Sequence, residues 1–148
     1  MSRAKFQVLI IPYRIKGSGI AEFAVVKRID VDVWQFLSGG GEDNETPMEA
    51  AKREANGEGG IPYGVELLQL DSTASVPACN FPARKEWGND IYVVPEYSFA
   101  VEVEDLTLGF EHTEMKWVSY EDAIKLLTLD SNKTALWELK ERITRCST

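Results

Sequence analysis

Glu54 and Glu58 stand four residues apart in the run GGGEDNETPMEAAKREANGEGGI, residues 39–61. In a helix, side chains at i and i+4 share one face, a turn apart. Two carboxylates held there repel each other unless water screens them or a cation lies between them. Oxygen-only ligands suit a hard divalent cation such as Mg²⁺ or Mn²⁺, which keeps several waters and accepts phosphate oxygens from a substrate. A Glu pair of this spacing is common on solvated helix faces, so its surroundings decide its meaning. Just upstream, Ser38-Gly39-Gly40-Gly41 reads as a glycine turn that lets backbone approach a ligand and present N–H groups to it.

The helix that must position the pair has its start written out. Thr46 suits the cap, Pro47 the first helical position, and Glu49 three residues after the cap completes a capping box. Met48, Ala51 and Ala55 at i, i+3 and i+7 give a narrow apolar stripe for a core. Gly59-Gly60 should end the helix. The glycine turn, capping box and carboxylate pair together make an accidental solvated face the weaker reading.

This stretch resembles a Nudix box, the signature of the Nudix hydrolases. The family pattern is Gly, five residues, Glu, seven residues, Arg-Glu, an apolar residue, any residue, Glu-Glu, any residue, Gly, apolar. Here it reads Gly39, Glu45, Arg53-Glu54, Ala55, Asn56, Gly57-Glu58, Gly59, Gly60, Ile61. The departure is Gly57, where the first Glu of the Glu-Glu pair belongs. A glycine in the last helical turn costs about 1 kcal/mol relative to Ala. The resemblance implies that Glu54 and Glu58 remain as metal ligands and that Arg53 pairs with a neighbouring carboxylate and orients it.

The 148 residues fit one domain with a real core, expected to be a single Nudix domain over 1–148. A formal net charge of −8 argues against non-specific nucleic-acid or anionic-membrane binding. An anionic substrate would then need a local cation, from the metal site or from Lys27-Arg28, which is otherwise a solvated strand end. Two cysteines, Cys79 and Cys146, without ligand-like spacing fit a reduced cytoplasmic setting. No apolar run approaches membrane-spanning length.

In chain order, Phe6 to Ile15 reads as a strand with an edge or bulge at Pro12, then a turn at 16–19 and a second strand from Ile20 to Arg28, a hairpin. Val33 to Leu37 is a short strand, with Trp34 read as core. After the box, Val65 to Val76 is a strand. Pro77 to Gly88 is a loop carrying Arg84, Lys85 and Trp87, a rim over the site or an ordinary exposed loop. Asp90 to Val103 is a strand interrupted by Pro95, and Met115 to Ser119 a short one. Glu121 to Leu127 is a helix, and Asp130-Ser131-Asn132 offer caps for a final helix with Leu136, Leu139 and Ile143 as its stripe. This order predicts an α/β protein, and the resemblance implies the Nudix fold, a mixed β-sheet sandwiched between α-helices.

Beyond the box, the chain is similar to the dihydroneopterin triphosphate pyrophosphatase group, whose members are also known as dATP pyrophosphohydrolases. Val33-Trp34-Gln35 running into Ser38-Gly39, Glu111-His112 before Lys116-Trp117, and Ser131-Asn132 before Ala135 carry this likeness. It implies Glu111 as a third metal carboxylate from a loop. It implies substrate contacts from Lys5, Lys27, Ser38, Gly39, Gly40 and Ser131. Glu54 is the first choice for the base and Glu111 its rival. His112, the single histidine, reads as a structural or exposed imidazole rather than a catalytic one. The segment from Ala78 to Phe81 aligns with substrate-contacting positions but differs in residues, which leaves the base or pterin open. The implied reaction is Mg²⁺- or Mn²⁺-dependent cleavage of a nucleoside or pterin triphosphate to a monophosphate and pyrophosphate. A sensor module that binds without turnover, or a hydrolase of another nucleoside diphosphate derivative, is the alternative. Partners are thus a small phosphoanhydride substrate and, in the manner of many relatives, a second copy of the chain.

Overall fold

The structure, a computed structural model, describes residues 3–109 and 112–146. Among these residues seven strands form one mixed sheet. In chain order they are β1 (Arg3–Ile15), β2 (Ala21–Arg28), β3 (Trp34–Gln35), β4 (Leu37–Glu42), β5 (Leu68–Pro77), β6 (Val93–Glu102) and β7 (His112–Val118). The helices are α1 (Pro47–Gly59), the single turn α2 (Arg84–Trp87), α3 (Tyr120–Leu126) and α4 (Asp130–Cys146). The sheet runs β3-β2-β1-β6-β5, with β4 also on β1 and β7 also on β2. The β1–β6 pair is parallel, and the other pairs of strands are antiparallel.

β1 is buried on both faces, which is why its sequence is a continuous apolar run rather than an alternation. Val8 and Ile10 face α1, whose Ala50, Ala51 and Ala55 pack there with Val26, Leu37, Phe99 and Val101. Leu9 and Ile11 face the other way, onto Ala123 of α3 and Ala135, Leu136 and Leu139 of α4. The period of two along the strand therefore builds both halves of an α/β/α sandwich. Each buried Val, Leu, Ile or Phe contributes roughly 1.5–3 kcal/mol. Pro12 costs little here. On one edge β1 pairs β4 as far as Ile10 and β2 from Tyr13 onward, so Pro12 falls in the gap between the two partners.

Three expectations are corrected. Ser38–Gly41 is not a turn: it lies within β4, paired Leu9 to Ser38, Val8 to Gly39 and Gln7 to Gly40. The glycines are there because side chains from elsewhere press on that strand, as described below. Asp130, Ser131 and Asn132 do not cap α4 but form its first turn, with the N–H groups of Asn132 and Lys133 both bonded to the Leu129 carbonyl. Pro95 does not interrupt β6. It pairs with Ser75 of β5 just before the β1 ladder begins at Glu96. The long loop also contains structure, a 3₁₀ turn at Ala78–Asn80 and then α2.

Two local devices matter later. At the α1 start, the Thr46 hydroxyl accepts from Glu49 N–H at 3.1 Å and the Glu49 carboxylate from Thr46 N–H at 2.8 Å. At its end Gly60 takes the left-handed conformation, φ 66°, that closes the helix. On the far side of the sheet, β5 slips register between Gln69 and Thr73. There the Glu138 carboxylate of α4 accepts the N–H groups of Asp71 and Ser72, each at 2.7 Å, and the Ser72 hydroxyl at 2.6 Å.

A Cβ on Gly57 would meet nothing within 4 Å. Gly57→Ala is therefore expected to raise stability by about 1 kcal/mol through helix propensity alone. Chemical denaturation would show it, and an unchanged midpoint would mean that the last turn of α1 is not limiting.

Candidate active site

The site begins with Arg53 of α1. Its Nε donates to Glu45 Oε2 at 2.8 Å and its Nη2 to Glu45 Oε1 at 2.9 Å, a two-pronged pair. Nη2 also donates to the Gly40 carbonyl of β4, and Nη1 to Glu54 Oε1, both at 2.8 Å. Glu45 Oε1 in turn accepts the Glu42 N–H at 2.8 Å. One guanidinium thus ties β4, the following turn and the helix together and fixes where the Glu54 carboxylate points. The planar fork explains why an arginine stands here, since an ammonium cannot serve these directions at once.

The same contacts set the charges. The Arg53 hydrogen bond holds the Glu45 carboxyl below its ordinary value, and Glu45 first, then Glu54, raises that of Arg53. A carboxyl lowered on folding contributes stability that is present above its unfolded pKa. That stability disappears as pH falls through the lowered value.

Gly39 provides the cradle. A Cβ there would lie 2.2 Å from the Glu54 carboxyl carbon and 2.4 and 2.5 Å from its oxygens. The carboxylate thus occupies space that any other residue would fill. Gly39→Ala is expected to leave the sheet intact and push the Glu54 carboxylate aside, against the hold of Arg53. Divalent-cation affinity by calorimetry should fall at least about tenfold, the loss of one good ligand contact, and an unchanged affinity would show that Glu54 is not at the cation site. Gly40 and Gly41 are covered likewise, by the Arg3 guanidinium and the Phe6 ring.

Glu58, one turn beyond Glu54, is buried to 9% exposure. Its Oε1 accepts the Ser38 N–H at 3.3 Å and lies 3.8 Å from His112 Nε2. Two carboxylates converging on one cavity, one cradled by a glycine and one sunk beside a backbone N–H, form an all-oxygen donor pair that fits a hard divalent cation. No set of three metal-binding side chains gathers among the described residues. Glu111, the expected third carboxylate, lies outside them.

A cavity of about 690 Å³ opens over this pair. Ser38, Gly39, Gly40, Glu54, Glu58 and Ser131 line it, and Arg53 stands behind Glu54. Two expected substrate contacts are elsewhere. Lys5 is exposed and away from the cavity wall. Lys27 lies 2.5 Å from Asp32, 3.8 Å from Glu114 and over the Trp34 ring. The pairing of β2 with β7 shifts register between Lys27 and Arg28, and it is Arg28 that reaches the cavity wall, paired to Asp30 at 2.5 Å.

The wall holds other residues that were not expected to touch substrate: Arg3, Gln7, Gln35, Glu96, His112 and Asn132. A signal existed for Glu96. It shares strand parity with Ser98 and Ala100, so a charged residue occupies a position that faces inward. His112, read as a structural or an exposed imidazole, is buried against Glu58. Asn132 is buried too and fastens α4 to the strand region, its Oδ1 accepting the Phe36 N–H at 3.0 Å.

The family model for the NUDIX domain matches residues 6–138. A NUDIX hydrolase from Listeria monocytogenes is 47% identical, with 97% of each chain covered and a TM-score of 0.86. The RNA pyrophosphohydrolase of Pseudomonas paraeruginosa is 33% identical over 109 residues, 64% of this chain and 65% of that one. The chain thus spans just under two thirds of the length of that relative. The Escherichia coli dihydroneopterin triphosphate pyrophosphohydrolase shares the fold at 22% identity, with a TM-score of 0.73 over 92% of this chain and 94% of that one.

Proposed function

The chain belongs to the NUDIX family, and from that premise we propose that residues 1–148 act as one divalent-metal-dependent pyrophosphohydrolase domain. Its substrate is a nucleoside or pterin triphosphate, cleaved to a monophosphate and pyrophosphate. The observation that carries this reading is the convergence of Glu54 and Glu58 on a single cavity, with Arg53 fixing the first. The 47% identity to the Listeria NUDIX hydrolase supports it.

Glu54 and Glu58 would hold the cation, with Glu111 the third carboxylate. When bound, Mg²⁺ or Mn²⁺ neutralises phosphate charge and draws electron density from the phosphoryl group. The backbone of Ser38, Gly39 and Gly40 lies against the polyphosphate. Arg3 and Arg28 supply positive charge at the wall. Water attacks one phosphorus as the bridging P–O bond opposite it breaks, and pyrophosphate departs with the bond's electron pair. Glu54 takes the proton from the attacking water. Arg53, 2.8 Å away, keeps that carboxylate in place for the task.

The test is product release over a panel of nucleoside triphosphates, dihydroneopterin triphosphate and nucleoside diphosphate derivatives, with and without Mg²⁺ or Mn²⁺. Pyrophosphate that requires the cation is the expected product. Ligand-dependent thermal stabilisation of folded protein with no metal-dependent product would replace the hydrolase with a binding module.

A further inference from the structure

Glu96 is a carboxylate that the fold does not finish satisfying. It is 4% exposed, on a central strand, and lines the cavity. Gln7 Nε2 donates to its Oε2 at 2.7 Å. Its Oε1 is buried with no hydrogen-bond partner, and among the described residues no cation pairs with it. Burial raises its pKa, against the pull of Gln7 and Ser131. A carboxylate kept for structure alone has both oxygens paired, because an orphaned one costs about 1–3 kcal/mol. An unpaired acceptor in a cavity wall is instead what a ligand donor completes.

Its position relative to the carboxylate pair follows from strand register. Gln7 is the partner of Gly40 on one side and of Glu96 on the other. Glu96 therefore lies two strand spacings, roughly 10 Å, from Gly40 and the adjoining Glu54 cradle. A triphosphate held at one end of the cavity places its heterocycle over the other.

We propose that Glu96 reads that heterocycle, accepting a ring N–H and a neighbouring exocyclic amino group, the amidine edge that guanine and pterins present. This rests on the triphosphate reading above. Oε1 takes one donor, and Oε2, already facing Gln7 and Ser131, takes the other. Adenine presents a ring nitrogen lone pair next to its amino group, which would face the carboxylate as acceptor against acceptor. Hypoxanthine has the ring N–H but lacks the amino group. The site thus selects guanine or pterin over hypoxanthine, and both over adenine.

The affinities of GMP, IMP, AMP and dihydroneopterin for the wild type and for Glu96→Gln, by calorimetry, read the base edge without requiring any bond to break. GMP or dihydroneopterin should bind at least about tenfold tighter than IMP or AMP, as a two-pronged contact allows. Glu96→Gln should erase that preference while leaving AMP affinity within about threefold. A wild type that binds AMP as well as or better than GMP and dihydroneopterin, or binds none of the four, overturns the assignment. So does an equal loss for every ligand in Glu96→Gln. The wild-type ranking keeps the assignment falsifiable even where the variant fails to fold. Metal-dependent turnover without the ranking would overturn the role of Glu96 and keep the hydrolase. The ranking without turnover would do the reverse.

Discussion

Glu54→Gln is expected to lower kcat by about two to three orders of magnitude and leave the fold intact. The substitution is isosteric, and the neutral amide still accepts from Arg53 Nη1, which the carboxylate meets at 2.8 Å. What it loses is the charge that holds a cation and the basicity that takes a proton from water. KM should move less than kcat, because the polyphosphate keeps its backbone and arginine contacts. Steady-state kinetics at saturating Mg²⁺, beside a circular-dichroism melt, separates the two effects. A kcat within threefold of wild type would remove Glu54 from the chemistry and pass the role of base to another group, Glu111 first.

Arg53→Ala should instead damage both stability and activity. The guanidinium makes four hydrogen bonds, two to Glu45 and one each to Glu54 and Gly40. Removing it strands two carboxylates near Glu42 in a half-buried corner. A cost of about 2–4 kcal/mol is expected, or a fall in Tm of roughly 5–15 °C for a domain of this size. Arg53→Lys should recover little, since one ammonium cannot replace a two-pronged pair and a carbonyl contact together. The destabilisation should also shrink toward acid. Glu45 owes its lowered pKa first to Arg53, so the wild type's advantage is full above the ordinary glutamate value near 4.5 and fades as pH falls through the lowered one. Melting curves at neutral pH and near pH 3 check this, and a constant difference between the two proteins would mean that the clasp does not carry the stability.

The best-read element from sequence is α1, because its signals are local. A cap, a proline, a box partner and a terminal glycine act within one turn and need no tertiary partner to be recognised. Ser38–Gly41 was misread for the opposite reason. Three glycines lack any intrinsic strand preference, and the pairing with β1, with Arg3, Phe6 and Glu54 lying over them, appears only once distant segments meet. The carboxylate pair was legible because one helix carries both members. Much of the remaining cavity wall was not, because Gln7, Glu96 and His112 come from three separate elements. Lys27 and Arg28 show how fine the limit is. Neighbouring strand residues point to opposite faces, so one of the two cations reaches the cavity and the other does not, and nothing in a dipeptide announces which.

β5 is the last strand of the sheet on its side, where a row of exposed backbone groups would template another chain. The register slip breaks that row at its middle, and Glu138 occupies the freed N–H groups of Asp71 and Ser72. A bulged edge is a poorer template for an incoming strand than a straight one, and the irregularity that interrupts this edge is the same one at which Glu138, held by Arg142 at 2.8 Å, anchors α4.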